Sequence, residues 1–446
     1  MFPALLIIIY ISLVYWWISR SNYFEIDNLS KPLIFGIFLT KVLAGFAYGY
    51  IHSAYFGGGD TFLYFKDSAQ IANTFFVYPS YYFQSIIGLS PAVPLGADVF
   101  IYPPAHVFWR DLGTYSLVHI HALPQLLSFG SYNVHIVFVA VIGLIASLNI
   151  YKVFSKRLSI TPMILIAACF FMPSVAFWTS GLHKDVWVYL GLSWILIALC
   201  RFSEYKDFRR TVLSPLLFGF FGIALFRYHL LILLIPAVIA YFWSILTPSK
   251  SPLSRFAIIY SLLALVLCLI QIFGFIDILE VLSNRQLAFL NEKGASNIEG
   301  VVAWTPNIWG FISFLPHAIA NAAFRPFYWN CKDFLQVIAA IEISFFWLLA
   351  IASIFLKRKN AASTPISYFI LFYAISNLLL IGLLVGNTGT IVRYRSVALG
   401  LLAIVVVQVI DALKIRKKNV PIQATIPSTN EENRPKQLHH VGTEEG

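Results

Sequence analysis

Charge is the first thing this sequence lacks. Only 11% of its 446 residues are Asp, Glu, Lys or Arg, against about 25% in an ordinary soluble domain. A chain so poor in charge cannot cover a water-facing surface, which excludes a soluble globular protein. Cysteine is scarce as well. Cys169, Cys200, Cys268 and Cys331 are the whole set, the first three lie in or beside apolar runs, and no CxxC occurs. Neither a disulfide framework nor a zinc site is indicated. No internal repeat is visible. The N-terminal stretch PALLIIIYISLVYWWIS has no basic leader and no small-residue cleavage site, so it reads as a retained span.

What the chain has instead is apolar length. Hydrophobic residues make up 59% of it, with 40 Phe, 23 Tyr and 11 Trp, rings that suit lipid and its two water interfaces. A span needs about 20 apolar residues. Eleven such runs are expected, at about 3–19, 32–52, 132–151, 160–178, 185–203, 212–226, 229–247, 255–275, 334–356, 365–385 and 395–413. The sixth and seventh are one long run divided by Arg227–His229. That run reads as two short spans meeting at a tight turn, or as one span and a re-entrant piece. The expected fold class is all-α, a polytopic transmembrane helix bundle of about 11 spans with a large first outer loop carrying interfacial helices.

The net charge is +11. In a membrane protein such a surplus gathers in cytoplasmic loops and need not mean nucleic acid. The stretches SRSNYFEIDNLSK, YKVFSKRLS, RFSEYKDFRR, TPSKSPLSR, LKRKN and KIRKKN all fall on one side of the expected spans, and all contain Lys or Arg. Between Tyr55 and Ser131 the only basic residues are Lys66 and Arg110. The basic side is therefore assigned to the cytoplasm, with the N-terminus outside and the C-terminus inside. Residues 1–31 make an extra N-terminal span and cytoplasmic loop, and 32–414 the main bundle, with outer loops at about 53–131 and 276–333. Residues 415–446 form a tail that lacks apolar periodicity and is expected to be disordered.

In the first outer loop, DTFLYFKDSAQIANTFF sets Asp60, Lys66, Asp67 and Gln70 among aromatics. That is the pattern of a helix lying in the interface, and PSYYFQSIIGL reads as a second one. The glycines of YFGGGDTFLYF let the chain leave a span, turn sharply and aim Asp60 back over the membrane surface. Asp60 is equally suited to cap a helix starting at Thr61.

Charged residues at the outer boundary come from five segments. They are Asp60 with Lys66; His183, Lys184 and Asp185 in WTSGLHKDVW; Arg227 and His229 in FRYHL; Arg325 in FRPFYW; and Arg393 and Arg395 in NTGTIVRYRS. Ionisable groups at a membrane are costly and tend to line a site. A mostly basic set at that depth suits a lipid phosphate or pyrophosphate, because Arg donates to phosphate oxygens in two-pronged fashion and Lys acts as a point charge. A carboxylate beside it can take a proton from a hydroxyl nucleophile, and the cations can stabilise charge on a departing phosphate. Asp60 is thus the candidate catalytic residue, and Lys184, Asp185, Arg227, His229, Arg325, Arg393 and Arg395 the candidate phosphate-binding set. Each has a plainer reading beside it. Asp185 suits a helix N-terminus, Lys184 can snorkel, Arg325 can anchor in an aromatic belt, Lys66 and Asp67 can face solvent, and His183 can be a neighbour only. Glu342, inside the ninth span, should face the bundle or pair with another polar group. His106, His119, His121 and His317 show no metal-ligand spacing.

The layout resembles the GT-C superfamily of polytopic glycosyltransferases. Those proteins have a large first outer loop with interfacial helices and an acidic residue soon after the preceding span, matched here by GGGDTFLYF. MPSVAFWTSGLHKDVW and GNTGTIVRYR are similar to pieces of bacterial membrane proteins near that superfamily. This chain departs from the pattern by its additional span at 3–19, so the loop follows the second span. The resemblance covers roughly 30–415. It implies an enzyme of the bacterial inner membrane that works at the outer face, in surface polysaccharide or glycoconjugate synthesis. Its partners would be membrane lipid, a polyprenyl-phosphate or diphosphate sugar donor, and a glycan or lipid acceptor. Arg227, Arg393 and Arg395, with Lys184 and Arg325, would hold the donor phosphate, and Asp60 would deprotonate the acceptor hydroxyl. The superfamily contains metal-dependent and metal-independent members, which leaves a divalent metal undecided. An O-antigen-type polysaccharide polymerase or ligase would use the same carrier and outer arginines, with its main outer loop later in the chain. A transporter or flippase of a lipid-linked or anionic solute would show repeats and helices broken near the midplane. Charges gathered at one face favour an enzyme, and charges strung across the bundle favour a carrier.

Overall fold

The computed structural model describes residues 2–86, 111–158, 160–249, 251–291, 301, 303–356 and 364–418. His106, the end of PSYYFQSIIGL and most of the expected tail lie outside those residues. Within them the chain is helical, joined by turns, with a bridge between Ile26 and Leu29 outside the helices. The helices are α1 Phe2–Arg20, α2 Lys31–Tyr50, α3 Asp60–Val77, α4 Pro79–Ile86, α5 Leu112–Ser128, α6 Tyr132–Arg157, α7 Pro162–Phe170, α8 Pro173–Trp178 and α9 Lys184–Tyr205. They continue with α10 Arg210–Arg227, α11 Leu230–Leu246, α12 Pro252–Ile272, α13 Ile278–Leu290, α14 Ile308–Phe324, α15 Phe334–Leu356, α16 Pro365–Leu384 and α17 Thr388–Lys418. Nine helices among the described residues are long and apolar enough to cross a membrane, and α11 and α14 are shorter apolar helices. This is a multi-pass helical membrane bundle.

The core is built by α6 and α9, whose apolar side chains are buried nearly all round. By contrast α1 and α12 are apolar yet mostly uncovered, as helices facing lipid should be. Asp60, the first residue of α3, lies at the same end of the bundle as the start of α9 and the start of α17; this is called here the site end. Between α2 and α6, helix α3 packs along α5. A helix is therefore present where one was expected, as α3, with α5 as an unforeseen partner that packs along it.

Two departures from the expected spans matter for the site. The run 160–178 is not one helix. It breaks at Phe171–Met172 into α7 and α8. Pro173 has no N–H to continue the helix and its ring crowds the carbonyl one turn back, and Met172 before it is extended, as the residue before proline prefers. Broken backbone inside a bundle needs polar partners, and α8 has one at each end. The Ser174 N–H donates to Glu342 Oε1 at 2.9 Å. At the other end Lys41 Nζ donates to Thr179 Oγ1 at 3.2 Å. An anion at the N-terminus and a cation at the C-terminus both suit the helix dipole. Glu342 thereby gains the partner that its sequence position demanded.

The second departure is in the loop expected at 276–333. Its aromatic ending forms α14, which starts near the site end, where Trp304 Nε1 donates to Leu383 O at 3.5 Å. Its last turn sits deep. Trp347 Nε1 donates to Ala323 O at 2.5 Å, and Trp347 lies thirteen residues into α15, ~20 Å from its start at 1.5 Å per residue. A helix end of this kind leaves carbonyls without intrahelical partners. Arg395 Nη1 serves them, donating to Ala322 O at 3.2 Å and also to Arg325 O.

Candidate functional site

The site begins where α9 begins. His183 is the N-cap of α9, and its Nδ1 accepts the Lys184 N–H at 2.9 Å. Asp185 follows in the first turn, where the helix N-terminus favours a carboxylate. It is buried, at 4% exposure. Arg227, the last residue of α10, donates from Nη2 to Asp185 Oδ1 at 2.6 Å. Arg393, in the second turn of α17, donates from Nε to Asp185 Oδ2 at 2.9 Å. Two guanidiniums thus converge on one carboxylate, which leaves the core of the cluster with a surplus positive charge. Tyr394 holds both. Its ring centre is 3.9 Å from Arg227 Cζ and 5.2 Å from Arg393 Cζ, within cation–π range.

His183 links this core to Asp60. Its Nδ1 also lies 3.2 Å from Asp185 Oδ2, so the ring stands between the two carboxylates. His183 is 1% exposed, its Nε2 has no hydrogen-bond partner, and it lies 3.7 Å from Asp60 Oδ2. Asp60 itself is open to solvent, with 57% of its side chain exposed. His183 holds the Asp60 carboxyl below the usual carboxylate range, with Arg393 and Lys184 adding to the effect against partial burial. Asp60 does not act as the helix cap. It is the first residue of α3, and Gly59 occupies the cap position without a side-chain bond. Gly57, Gly58 and Gly59 all have positive φ, at 66°, 131° and 108°. Side chains rarely adopt that backbone, which is why the turn carrying Asp60 is a glycine run.

Lys184 turns outward from the core and meets α5. Its Nζ is 3.3 Å from Asp111 Oδ1. Asp111 is the N-cap of α5, accepting the Thr114 N–H at 3.1 Å. Gly113 permits this approach, because a Cβ there would stand 2.7 Å from Phe226 O and 3.2 Å from Lys184 Nζ.

The structure therefore brings together Asp60, Lys184, Asp185, Arg227 and Arg393 from four helices. His229 sits at their edge, in the turn between α10 and α11. Burial pushes its imidazole down to about 4, and the nearby cations Arg227, Arg285 and Lys184 push the same way. Both effects work against a positive charge on this ring. Arg325 and Arg395 are set apart. Arg395 is 2% exposed and spends its donors on the end of α14. Two residues apart on a helix, Arg393 and Arg395 face opposite ways, so the pair read as one anion clamp does two different jobs. Arg325 lies over the Phe327 ring, 5.3 Å from its centre, at the deep end of α14.

Several residues of the site carried no sequence signal. His183 was read as a neighbour only, yet it bridges the two acids. Asp111 was not among the candidate residues. His52 closes the span before the glycine turn, and Arg285 on α13 stands close enough to act on His229. Among the described residues no group of three or more His, Cys, Asp or Glu side chains is arranged to hold a metal ion.

No known protein family, curated protein or solved structure matches this chain.

Proposed function

We propose that this chain is a membrane glycosyltransferase that moves a sugar from a polyprenyl-phosphate or diphosphate donor to an acceptor hydroxyl at the outer face of a bacterial plasma membrane. The observation that carries the reading is the single cluster at the site end. One buried carboxylate, Asp185, holds two arginines, and a solvent-open carboxylate, Asp60, lies beyond His183. The surplus positive charge suits a lipid phosphate. The open carboxylate suits an incoming hydroxyl. In this reading the protein crosses the membrane eleven times, by the nine long helices, α11, and α7 with α8 in tandem. The basic connections at the opposite end lie in the cytoplasm, which puts the cluster, and the N-terminus, outside.

The residues divide the work as follows. Free N–H groups of Arg227 and Arg393 bind the donor phosphate, and Asp185 fixes their orientation. Lys184 adds a point charge at the rim. The acceptor hydroxyl docks on Asp60 and gives its proton to the basic groups of that turn as its oxygen attacks the anomeric carbon, and the lipid phosphate departs with the bonding electron pair, stabilised by the arginines. Transfer of a whole glycan by a polymerase or ligase would use the same parts.

A carrier of a lipid-linked or anionic solute is the second reading. Its support is the broken α7–α8 helix and the deep end of α14, features common where transporters bind substrate. The deep charges Lys41, Glu342 and Arg395 are each engaged with a helix end, which favours the enzyme.

The test uses the full chain in nanodiscs with labelled polyprenyl-phosphate sugars and a panel of glycan and lipid acceptors. Asp60→Asn should lower transfer by about 10²–10⁴-fold while the protein stays folded. An Asp60→Asn protein that keeps full transfer overturns the reading, and equilibration of the donor across the bilayer without transfer replaces it with the carrier.

A further inference from the structure

The last turn of the span before Asp60 is not an α-helix. Residues Ile51–Tyr55 form a π-helical turn, a rare conformation that recurs at functional sites. It carries His52. The His52 Nδ1 lies 2.8 Å from Tyr48 O. A carbonyl can only accept, so Nδ1 holds the ring proton and Nε2 is left with its lone pair. The ring is stacked on Tyr48 at 4.0 Å between centres and flanked by Phe56 and Trp178 at 5.4 and 6.3 Å. It is half-buried. The glycine turn folds back over it. Gly58 N–H donates to His52 O at 2.7 Å, and a Cβ on Gly59 would stand 3.4 Å from His52 Cδ2, the carbon bonded to Nε2. The charged and titratable groups that bear on the ring are Asp60, His183 and Arg393.

His52 and His183 are thus the two imidazoles next to Asp60. Tyr48 O puts the proton of His52 on Nδ1, which leaves its Nε2 an acceptor, while His183 stands between Asp60 and Asp185. His52 therefore carries an unprotonated ring nitrogen beside the glycine turn that holds Asp60.

We propose that His52 is the general base of this site, taking on Nε2 the proton of the acceptor hydroxyl that Asp60 orients. The proposal rests on the transferase reading above. The step balances as follows. The acceptor O–H bond breaks and its proton goes to His52 Nε2, giving an imidazolium that the Asp60 carboxylate stabilises. The oxygen forms the new bond to the anomeric carbon, and the bond from that carbon to the phosphate oxygen breaks, the electron pair leaving with the lipid phosphate. His183 is a positioning residue that holds Asp60 from the other side.

The test has two arms, both on the full chain in phosphatidylethanolamine–phosphatidylglycerol nanodiscs. The first needs no substrate. Diethyl pyrocarbonate modifies neutral imidazole nitrogens that are unprotonated and reachable. Peptide mass mapping at neutral pH should find His52 modified and the buried His183 untouched. Failure of His52 to react, while exposed histidines of the same chain do, overturns the assignment of a free Nε2. The second arm compares transfer by wild type, His52→Asn and His52→Gln. Asparagine can keep the bond to Tyr48 O through its amide N–H and lacks the distal nitrogen, so its fold is retained. Both variants should lose about 10²–10⁴-fold in kcat with KM for the acceptor little changed. Transfer by folded His52→Asn at the wild-type rate overturns the base assignment. If wild type transfers nothing, the transferase reading fails, and with it the role of His52 as base; the labelling result then still decides the tautomer.

Discussion

Asp185 and Arg393 are 208 residues apart in the chain and 2.9 Å apart in the fold. Their contact ties the start of α9 to the start of α17, and Arg227 brings the end of α10 to the same carboxylate. Three helix ends are thereby held in register by one buried side chain. A buried ion pair gives little net stability, since desolvation offsets its Coulomb attraction, but removing one partner is expensive. The cluster is therefore better understood as a device for aiming two guanidiniums than as a source of stability.

That asymmetry gives the first prediction. Asp185→Ala leaves Arg227 and Arg393 buried, unpaired and mutually repelling, and should destabilise the protein by about 3–5 kcal/mol. Asp185→Ala combined with Arg393→Ala should cost less than the sum of the two changes. Thermal unfolding in detergent checks both. Strict additivity would mean that the two residues do not interact.

The Asp60–His183 contact should be visible in pH dependence. The Asp60 carboxyl is held below its ordinary value by His183. A carboxylate depressed in the folded state contributes stability that is fully present above its unfolded pKa, about 3.9, and is lost as pH falls through the lower folded value. Wild type should therefore lose a small increment of stability below about pH 4 that His183→Gln has already lost in part and Asp60→Asn lacks. The increment is small because Asp60 is largely solvent-exposed. Unfolding midpoints of the three proteins between neutral and acid pH make the comparison. An acid limb that is the same in all three would show that the contact does not form.

The bundle was legible because apolar length reports a membrane helix whatever its neighbours are. The convergence of Asp60, Lys184, Asp185, Arg227 and Arg393 was legible too, since charges at span ends on one side must share a surface. What the sequence hid was pairing. Nothing in GLHKDVW says that Asp185 is consumed by two arginines, that His183 faces Asp60, or that Lys184 reaches Asp111. Those contacts depend on how α5, α10 and α17 pack, which periodicity does not encode. The break in α7–α8 had a local sign, Pro173, but an apolar run of ordinary span length overrode it. Arg395 was misjudged for a geometric reason: spacing of two places it on the far side of α17 from Arg393.

The two charges that flank α8 support a third prediction. Glu342 accepts the Ser174 N–H, and Lys41 donates to Thr179 Oγ1. Glu342→Gln keeps an oxygen acceptor and should be mild. Glu342→Leu leaves the α8 N-terminus unsatisfied and should cost about 1–3 kcal/mol. Lys41→Met removes a buried cation together with its need for a partner and should be tolerated better than Glu342→Leu. Melting temperatures in one detergent rank the three. Equal losses for Gln and Leu at position 342 would mean that charge, and not the hydrogen bond, holds α8.

The last prediction separates the two arginines that a sequence reader would pair. Arg395 donates to the carbonyls of Ala322 and Arg325 at the end of α14, away from the site, whereas Arg393 lies on Asp185 and beside Trp178. Arg395→Leu should destabilise by about 1–3 kcal/mol for each carbonyl left without a donor. Arg395→Lys should fall between, because one nitrogen, Nη1, serves both carbonyls and the shorter lysine keeps such a donor but reaches less far. Neither should change transfer per folded molecule. Arg393→Lys keeps the charge but loses the fork that reaches Asp185 and a phosphate together, so its transfer should fall sharply and its KM for the lipid donor should rise. Measuring stability and donor KM on the same preparations resolves the two roles. A rise in donor KM with Arg395→Lys would return Arg395 to the phosphate site, and an unchanged KM with Arg393→Lys would remove Arg393 from it.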